Sequence, residues 1–355
     1  MNISIILYSF LRNGAIRVLI EYANRLSKRG HKVTVYHSFF RYKQKENDQF
    51  SGIFKVYKDK ISNILNIKQI LSSYGEMNFK IKFIPFLSKY FLRDSEIIIF
   101  TYWPIAYKLL DFENTKTKVI YMIQAYEYWN SSLNMLHRTY KMGFINVVVS
   151  RYLQEKINNL SNAESVVIYP GVNFKKYCNP FKNYFKKNLV ISFFYFEPEF
   201  KGTNVILEVI DVIKNDYPKV NILCAGVTFP KNLKNYIKYI HNPNDEQIVE
   251  FYRETDIFIS SSKEEGLPLV VLEAMACQCG VISTRVGIVQ EIFESNRDIL
   301  VFEPGDKKKL FEHITLLINN PEILQQLSIS GYKHVLKKLQ WEDSINNLEN
   351  LIRNY

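Results

Sequence analysis

The sequence predicts an α/β fold made of two parallel-sheet domains. Three observations carry that prediction: a strand–helix–strand opening, a second half in which short apolar runs alternate with helical patterns, and a length of 355 residues, enough for about two ordinary domains. Residues 2–8 form an apolar run suited to a buried parallel strand. Leu11-Arg-Asn-Gly-Ala15 turns into a helix over 16–28, with Ile16, Leu19, Ile20, Ala23 and Leu26 as its apolar positions. Gly30 ends that helix, and 32–37 is the next strand. A βαβ unit of this kind favours a right-handed crossover and a parallel sheet.

The rest of the first half continues in that style. Residues 40–51 are polar and read as a loop, and 53–71 carry a helical apolar pattern. Residues 79–92 interleave lysines with aromatics, as in a strand followed by a short amphipathic segment. Residues 96–100, 118–124 and 146–150 read as three more buried strands. Ligands in open α/β sheets sit beyond the carboxyl ends of the strands. The stretches found there are Thr101-Tyr-Trp-Pro-Ile-Ala-Tyr107 and Gln124-Ala-Tyr-Glu-Tyr-Trp129. Tyr126, Tyr128 and Trp129 suit stacking on a sugar face, and equally suit packing beneath a cleft.

A short strand over 165–169 ends in Pro170-Gly-Val-Asn-Phe174. A strand over 189–195 then opens the second domain, followed by the loop Phe196-Glu-Pro-Glu-Phe-Lys-Gly202 and a helix over 203–214. Strands at 220–225 and 238–241 lead to Asn242-Pro-Asn-Asp245 and a helix over 246–253. After the stretch described next come a strand over 300–302, the turn Pro304-Gly-Asp306, and helices over 307–319 and 321–336. Trp341 precedes a last helix over 342–353.

The second half is organised around residues 257–277. Ile257 to Ile259 continue a buried strand, Ser260 to Gly266 make a polar turn, and a helix begins around Leu269 with Pro268 in its first turn, where proline is favoured. Unpaired amides and the positive end of the helix dipole make that turn an anion site. Gly266 lets the backbone approach a ligand closely. Glu265 and Glu273 frame the site. A carboxylate does not bind phosphate, so the two fit hydroxyls on either side of one, as in a nucleotide sugar. The plainer alternative makes Glu264 and Glu265 a solvated loop and Glu273 an ordinary helix surface residue.

Composition narrows the classes. With 47% hydrophobic and 23% charged residues, the chain is globular and able to bury substantial cores. Cys178, Cys224, Cys277 and Cys279 lack metal-ligand spacing, and the last two, placed on the same helix, diverge; reduced thiols of a cytosolic protein are expected. The first eleven residues lack a basic leader and a cleavage site, so they read as a strand and not as a signal peptide. No run is long enough to span a membrane. The net charge of +11 is uneven: residues 1–175 hold 25 Lys/Arg against 12 Asp/Glu, and the remainder is slightly acidic. Either the lysines form a solvated surface, or they attract an anionic membrane or a diphosphate-bearing acceptor. No nucleic-acid-binding module accompanies the charge. A dinucleotide-binding glycine fingerprint is also absent, which disfavours hydride transfer.

The stretch around Glu265-Gly-Leu-Pro-Leu-Val-Val-Leu-Glu273 resembles the Glu-x7-Glu signature of retaining GT-B glycosyltransferases of family 4 (glycosyl transferases group 1). The similarity continues through Glu273-Ala-Met-Ala-Cys-Gln-Cys-Gly-Val-Ile-Ser283 and Val286-Gly-Ile-Val-Gln-Glu291. Residues 13–35 resemble the family's opening, with the single Gly14 in place of its usual glycine pair. The aromatic stretches after the strands resemble a rhamnosyltransferase-like branch, in which a Gln and a Glu occupy the second loop; many relatives have a His there and this chain has none.

The resemblance implies a GT-B architecture, with two Rossmann-like doubly wound domains facing a cleft: an acceptor domain over 1–175, a nucleotide-sugar domain over 176–337, and a C-terminal helix over 338–355 packing back on the first. It implies Lys201, Glu265 and Glu127 as catalytic residues, and Gly14, Gly202, Ile240, Gly266, Leu267, Pro268, Leu269 and Glu273 around the donor. Trp103, Gln124, Tyr126 and Trp129 are the acceptor-side candidates. Lys201 matches a family cation that neutralises the donor diphosphate, and Phe196 stands where a second cation, an Arg, is expected.

The implied reaction moves a sugar from a nucleotide-sugar donor to a glycan or lipid-linked acceptor with retention, in cell-surface polysaccharide or glycoconjugate synthesis. No Asp-x-Asp pair occurs in the sequence, so no metal and no other cofactor is expected. The expected location is cytoplasmic, with peripheral contact on the cytoplasmic membrane face. The departures leave two competing readings open: a weak or inactive GT-B binding or scaffold protein, and a sugar-nucleotide epimerase of the same architecture.

Overall fold

Short β-branched and aromatic runs with no polar interruption bury both faces of a strand, which is the condition for a parallel sheet covered by helices. The computed structural model, which describes residues 1–8, 13–38, 77–112, 115–128, 132–230 and 233–355, has two such sheets. The loop expected over 40–51, the helix expected over 53–71, and Trp129 lie outside the described residues.

The first sheet holds β1 (Asn2–Leu7), β2 (Lys32–Ser38), β3 (Lys80–Ile84), β4 (Ile97–Phe100), β5 (Lys118–Ile123), β6 (Ile145–Val148) and β7 (Val166–Val167). All pair in parallel in the order β3-β2-β1-β4-β5-β6-β7. The second holds β8 (Val190–Tyr195), β9 (Asn221–Gly226), β10 (Ile237–His241), β11 (Ile257–Ser260), β12 (Gly280–Thr284) and β13 (Leu300–Phe302), in the order β10-β9-β8-β11-β12-β13. Each order reverses once, between β1 and β4 and between β8 and β11. At such a switch point neighbouring loops diverge and leave a crevice beyond the carboxyl ends of the strands.

The chain divides into two compact units, Met1–Tyr169 with Ile345–Tyr355, and Pro170–Ser344. The C-terminal helix Trp341–Asn354 therefore returns most of its length to the first unit. There it buries Ile345, Leu348 and Ile352. Glu349 accepts bonds of 2.9 Å from both Arg29 and His31, and Lys118 Nζ reaches the Ile352 carbonyl at 2.6 Å. Burial alone raises the Glu349 carboxyl, but these two partners outweigh it and leave it lowered.

Three local features differ from the sequence reading. Ser150, expected at the end of a strand, caps the helix Arg151–Ser161 by accepting the Leu153 amide. Serine at a helix start satisfies an orphan amide, and its place after an apolar run disguised that role. The helix Leu133–Thr139 carries too little periodic signal in seven residues to be read. The helix Leu269–Ala276 ends one residue before Cys277, so Cys277 is its C-cap and Cys279 lies beyond it. Pro268 is likewise outside the helix, at its N-cap.

Candidate functional site

In the second unit the switch point is built from the loops that follow β8 and β11. The first turns through Glu199–Lys201 and ends at Gly202, whose φ of +66° suits glycine. A Cβ on Gly202 would collide with the Ser261 carbonyl, so glycine also permits the two loops to touch. They are then clipped together: the Lys263 amide donates to the Phe200 carbonyl at 2.6 Å, and Ser261 Oγ to the Lys201 carbonyl at 3.2 Å.

Those clips hold Lys201 against Glu265, Nζ to Oε1, at 2.9 Å. Ser262 Oγ donates to the same Glu265 oxygen at 2.6 Å. Lys201 Nζ lies 5.1 Å from the centre of the Phe196 ring and 5.5 Å from that of Phe200. Two aromatic faces and one carboxylate therefore surround the cation. Phe196 supplies no charge at the position where the resemblance implies an Arg.

Gly266 and its neighbours are supported from below by Gly287, which lies in the family-like stretch 286–291 but is not among the candidate site residues read from the sequence. Its φ is +47°, and a Cβ there would meet the Gly266 carbonyl and lie 2.6 Å from that of Glu265. The Ile288 amide donates to the Gly266 carbonyl at 3.3 Å. Its sequence signals are that resemblance and its place just after the strand that follows the motif.

The helix start is less open than expected. Leu269 donates its amide to Leu267 O at 2.9 Å and Val271 to Pro268 O at 3.0 Å, while Pro268 has no N–H. Among the described residues this leaves the Gly266, Leu267 and Val270 amides for an anion. Glu273 is not a helix surface residue: it is 3% exposed, and its Oε2 accepts the Tyr252 hydroxyl at 3.0 Å. A carboxylate held this deep needs such partners. Ile240 lies on edge strand β10, opposite Ala225 of β9, two strands and so about 10 Å out from β8.

In the first unit the corresponding loops follow β1, β4 and β5. Asn13 caps the helix Gly14–Lys28 by accepting the Ile16 amide at 2.9 Å, and donates to the Tyr8 hydroxyl at 2.8 Å. Gly14 is therefore the first residue of that helix. Gln124 Nε2 donates to the Ala15 carbonyl at 3.0 Å, tying the β5 loop to the same helix. The Tyr102 ring packs against that of Tyr8, centres 4.5 Å apart and tilted by 30°, and Tyr102 has a φ of +72°, a strained value for a residue with a side chain.

Next to it the Trp103 amide donates to Glu127 Oε2 at 3.1 Å. Burial pushes the Glu127 carboxyl up to about 7, against the lowering effect of that amide. Burial also pushes Tyr8 up to about 12, the Asn13 bond opposing and the Glu127 charge adding. Burial, Tyr140 and Glu127 all raise the Tyr121 hydroxyl. Glu127 is thus the carboxylate of a phenol-rich crevice.

Of the expected acceptor-side residues, Trp103 is 6% exposed and offers its amide to the site, not an open ring. Tyr126 is buried, with its hydroxyl 3.0 Å from His137 Nε2 and Lys156 Nζ 4.4 Å from its ring centre. The loop lacks a histidine in sequence, but the fold brings one to it from the helix Leu133–Thr139. Nothing local in the sequence signals that contact.

The family model described as glycosyl transferases group 1 matches residues 174–334. An uncharacterised glycosyltransferase of Methanocaldococcus jannaschii is 28% identical over 206 residues, 56% of each chain. The Staphylococcus aureus capsular polysaccharide biosynthesis glycosyltransferase CapM is 25% identical over 225 residues, 56% of this chain and 59% of its own. The chain thus spans little more than half the length of these curated relatives. Anabaena HepE, solved in complex with UDP-glucose, superposes with a TM-score of 0.79 at 14% identity, covering 100% of both chains. Sucrose-phosphate synthase from Thermosynechococcus elongatus gives 0.73 at 15%, covering 100% of this chain and 98% of its own. At such identities the structures establish the fold, which is GT-B. Residues 174–334 thus match the glycosyl transferases group 1 model, within a chain whose two-sheet fold is GT-B.

Proposed function

We propose that the chain is a retaining, metal-independent glycosyltransferase that moves a sugar from a nucleoside-diphosphate donor to a hydroxyl of a glycan or lipid-linked acceptor. The observation that carries this reading is the Lys201–Glu265 pair at the switch point of the second sheet. A diphosphate placed against the Gly266 and Leu267 amides draws Lys201 toward itself, and Glu265 is then available to a hydroxyl of the transferred sugar. Glu273 takes the ribose side.

In the transfer, the bond from the anomeric carbon to the phosphate oxygen breaks and its electron pair leaves with the diphosphate. The acceptor oxygen bonds to the anomeric carbon on the face the leaving group vacates, and the hydroxyl proton passes to the departing phosphate oxygen. Fixed donors aimed at the developing charge lower such a barrier, and Lys201 with the loop amides fills that role without an Asp-x-Asp metal clamp. On the acceptor side we assign Glu127, in its ionised form, to holding the attacking hydroxyl.

UDP-glucose bound to HepE makes a uridine donor the first to try. CapM and the Bacillus subtilis TuaC, named for teichuronic acid biosynthesis, make surface polysaccharide the first acceptor class. The test is release of nucleoside diphosphate from a panel of nucleotide sugars, with and without glycan and lipid-linked acceptors. Acceptor-dependent release supports transfer. Sugar interconversion without acceptor identifies an epimerase. Binding without turnover identifies a scaffold protein, the reading that Phe196 in place of a second cation favours.

A further inference from the structure

We propose that the aromatic and basic edge of the first unit, residues 77–94, docks on an anionic lipid bilayer. β3 is the outermost strand of its sheet, and the chain leaves it at the carboxyl edge through Pro85 and Phe86 into the short helix Lys89–Leu92. Phe86 is 55% exposed and Tyr90 69%, and Phe83 is exposed as well. Their placement is ordered by contact: Phe86 and Tyr90 both meet the Phe91 ring edge-on, at 6.1 and 5.4 Å, and the Arg93 guanidinium lies 5.4 Å from the Tyr90 ring centre.

The same eighteen residues hold Lys80, Lys82, Lys89 and Arg93, all exposed, against a single acid, Asp94; Lys82 lies over the Tyr36 ring and Lys89 over that of Phe112. Lysines on an edge strand have a simpler use, since they prevent pairing with another sheet. That use accounts for Lys80 and Lys82. It does not account for open aromatic rings on the segment beyond the strand, which cost solubility unless something covers them. Aromatic rings flanked by long basic side chains match the interface of an anionic bilayer, where the rings enter the headgroup layer and the lysines reach phosphate. The charge of the first half, 25 basic residues against 12 acidic over 1–175, has the sign this partner requires.

Topology links the surface to the proposed reaction. Because all strands are parallel, Phe86 leaves the sheet on the same edge as Tyr8, Trp103 and Glu127. A bilayer at Phe86 therefore presents lipid-linked acceptors along the edge that carries the acceptor-side carboxylate. This last point rests on the proposed function, whereas the docking itself does not.

The experiment is co-sedimentation of the full chain with vesicles of phosphatidylcholine alone and of phosphatidylcholine with phosphatidylglycerol, across a salt series. We expect pelleting only with the anionic vesicles, weakening as salt rises. Phe86→Ser/Tyr90→Ser and Lys82→Glu/Lys89→Glu should each weaken it by about tenfold or more. Melting temperature and nucleotide binding, unchanged in these variants, separate loss of docking from loss of fold or of donor function. A Phe86→Trp variant tests insertion directly: brominated acyl chains in the anionic vesicles should quench its added fluorescence relative to wild type. Binding that ignores lipid charge, binding that survives both double substitutions, or absence of added quenching each overturns the proposal.

Discussion

Lys201 Nζ lies 2.9 Å from Glu265 Oε1, joining the loop that ends β8 to the loop that ends β11 across the point where the strand order reverses. The pair is partly exposed, so it adds little to stability, of the order of 1 kcal/mol or less. Its value is in placement. Lys201→Met should therefore leave the melting temperature nearly unchanged while lowering turnover by about 10²–10³, the usual cost of removing one fixed donor from developing charge. Steady-state kinetics beside a thermal melt checks this. Turnover within a few-fold of wild type would remove Lys201 from the reaction.

Glu273 and Tyr252 form the second relationship with a direct test. If Glu273 holds the donor ribose, Glu273→Gln should weaken binding of the free nucleoside diphosphate by about 1.5–3 kcal/mol, the worth of a hydrogen bond to a charged group. Tyr252→Phe removes one partner of the carboxylate and should have a smaller effect of the same sign. Calorimetry with UDP is the measurement. Equal affinity in wild type and Glu273→Gln would return Glu273 to a purely structural role.

Much of this site is legible in the residue order because its parts lie close together in the chain. Glu265, Gly266, Pro268 and Glu273 fall within nine residues, and strand, turn and helix signals surround them. What is not legible depends on contacts between separate elements. Gly287 supports Gly266, Tyr252 bonds Glu273, and His137 meets Tyr126, each through tertiary packing that local pattern does not encode. Burial misleads in the same way. Trp103 is an aromatic at a strand end, which suggests a stacking surface, but the fold turns its ring inward and its amide toward Glu127. Most of the strands are readable because buried parallel strands need uninterrupted apolar runs, whereas the seven-residue helix Leu133–Thr139 is not.

Metal independence is tested by chelation. With Lys201 and the loop amides bearing the leaving-group charge, activity should persist within about twofold in excess chelator, since fixed protein donors need no exchangeable ion. Complete loss, restored by magnesium or manganese, would assign that charge to a metal.

Glu127 supplies the pH dependence. Its carboxyl is raised from 4.5 to about 7 by burial, against the opposing bond from the Trp103 amide. In the folded chain it therefore holds its proton between roughly pH 4.5 and 7, while the unfolded chain has released it. The associated stability is fully present below the unfolded value, is lost as pH rises through about 7, and is flat beyond that. A shift of this size corresponds to roughly 3 kcal/mol. Glu127→Gln should be more stable than wild type at pH 8 and nearly equal to it at pH 4.5, as read from denaturant melts across that range. Catalysis has the opposite sense. If the ionised carboxylate holds the acceptor hydroxyl, kcat/KM should rise through a midpoint near 7, and Glu127→Gln should lose that limb along with most of its rate. A stability difference that does not change with pH would refute the raised carboxyl. An unaltered limb in the variant would instead separate Glu127 from the acceptor while leaving its burial intact.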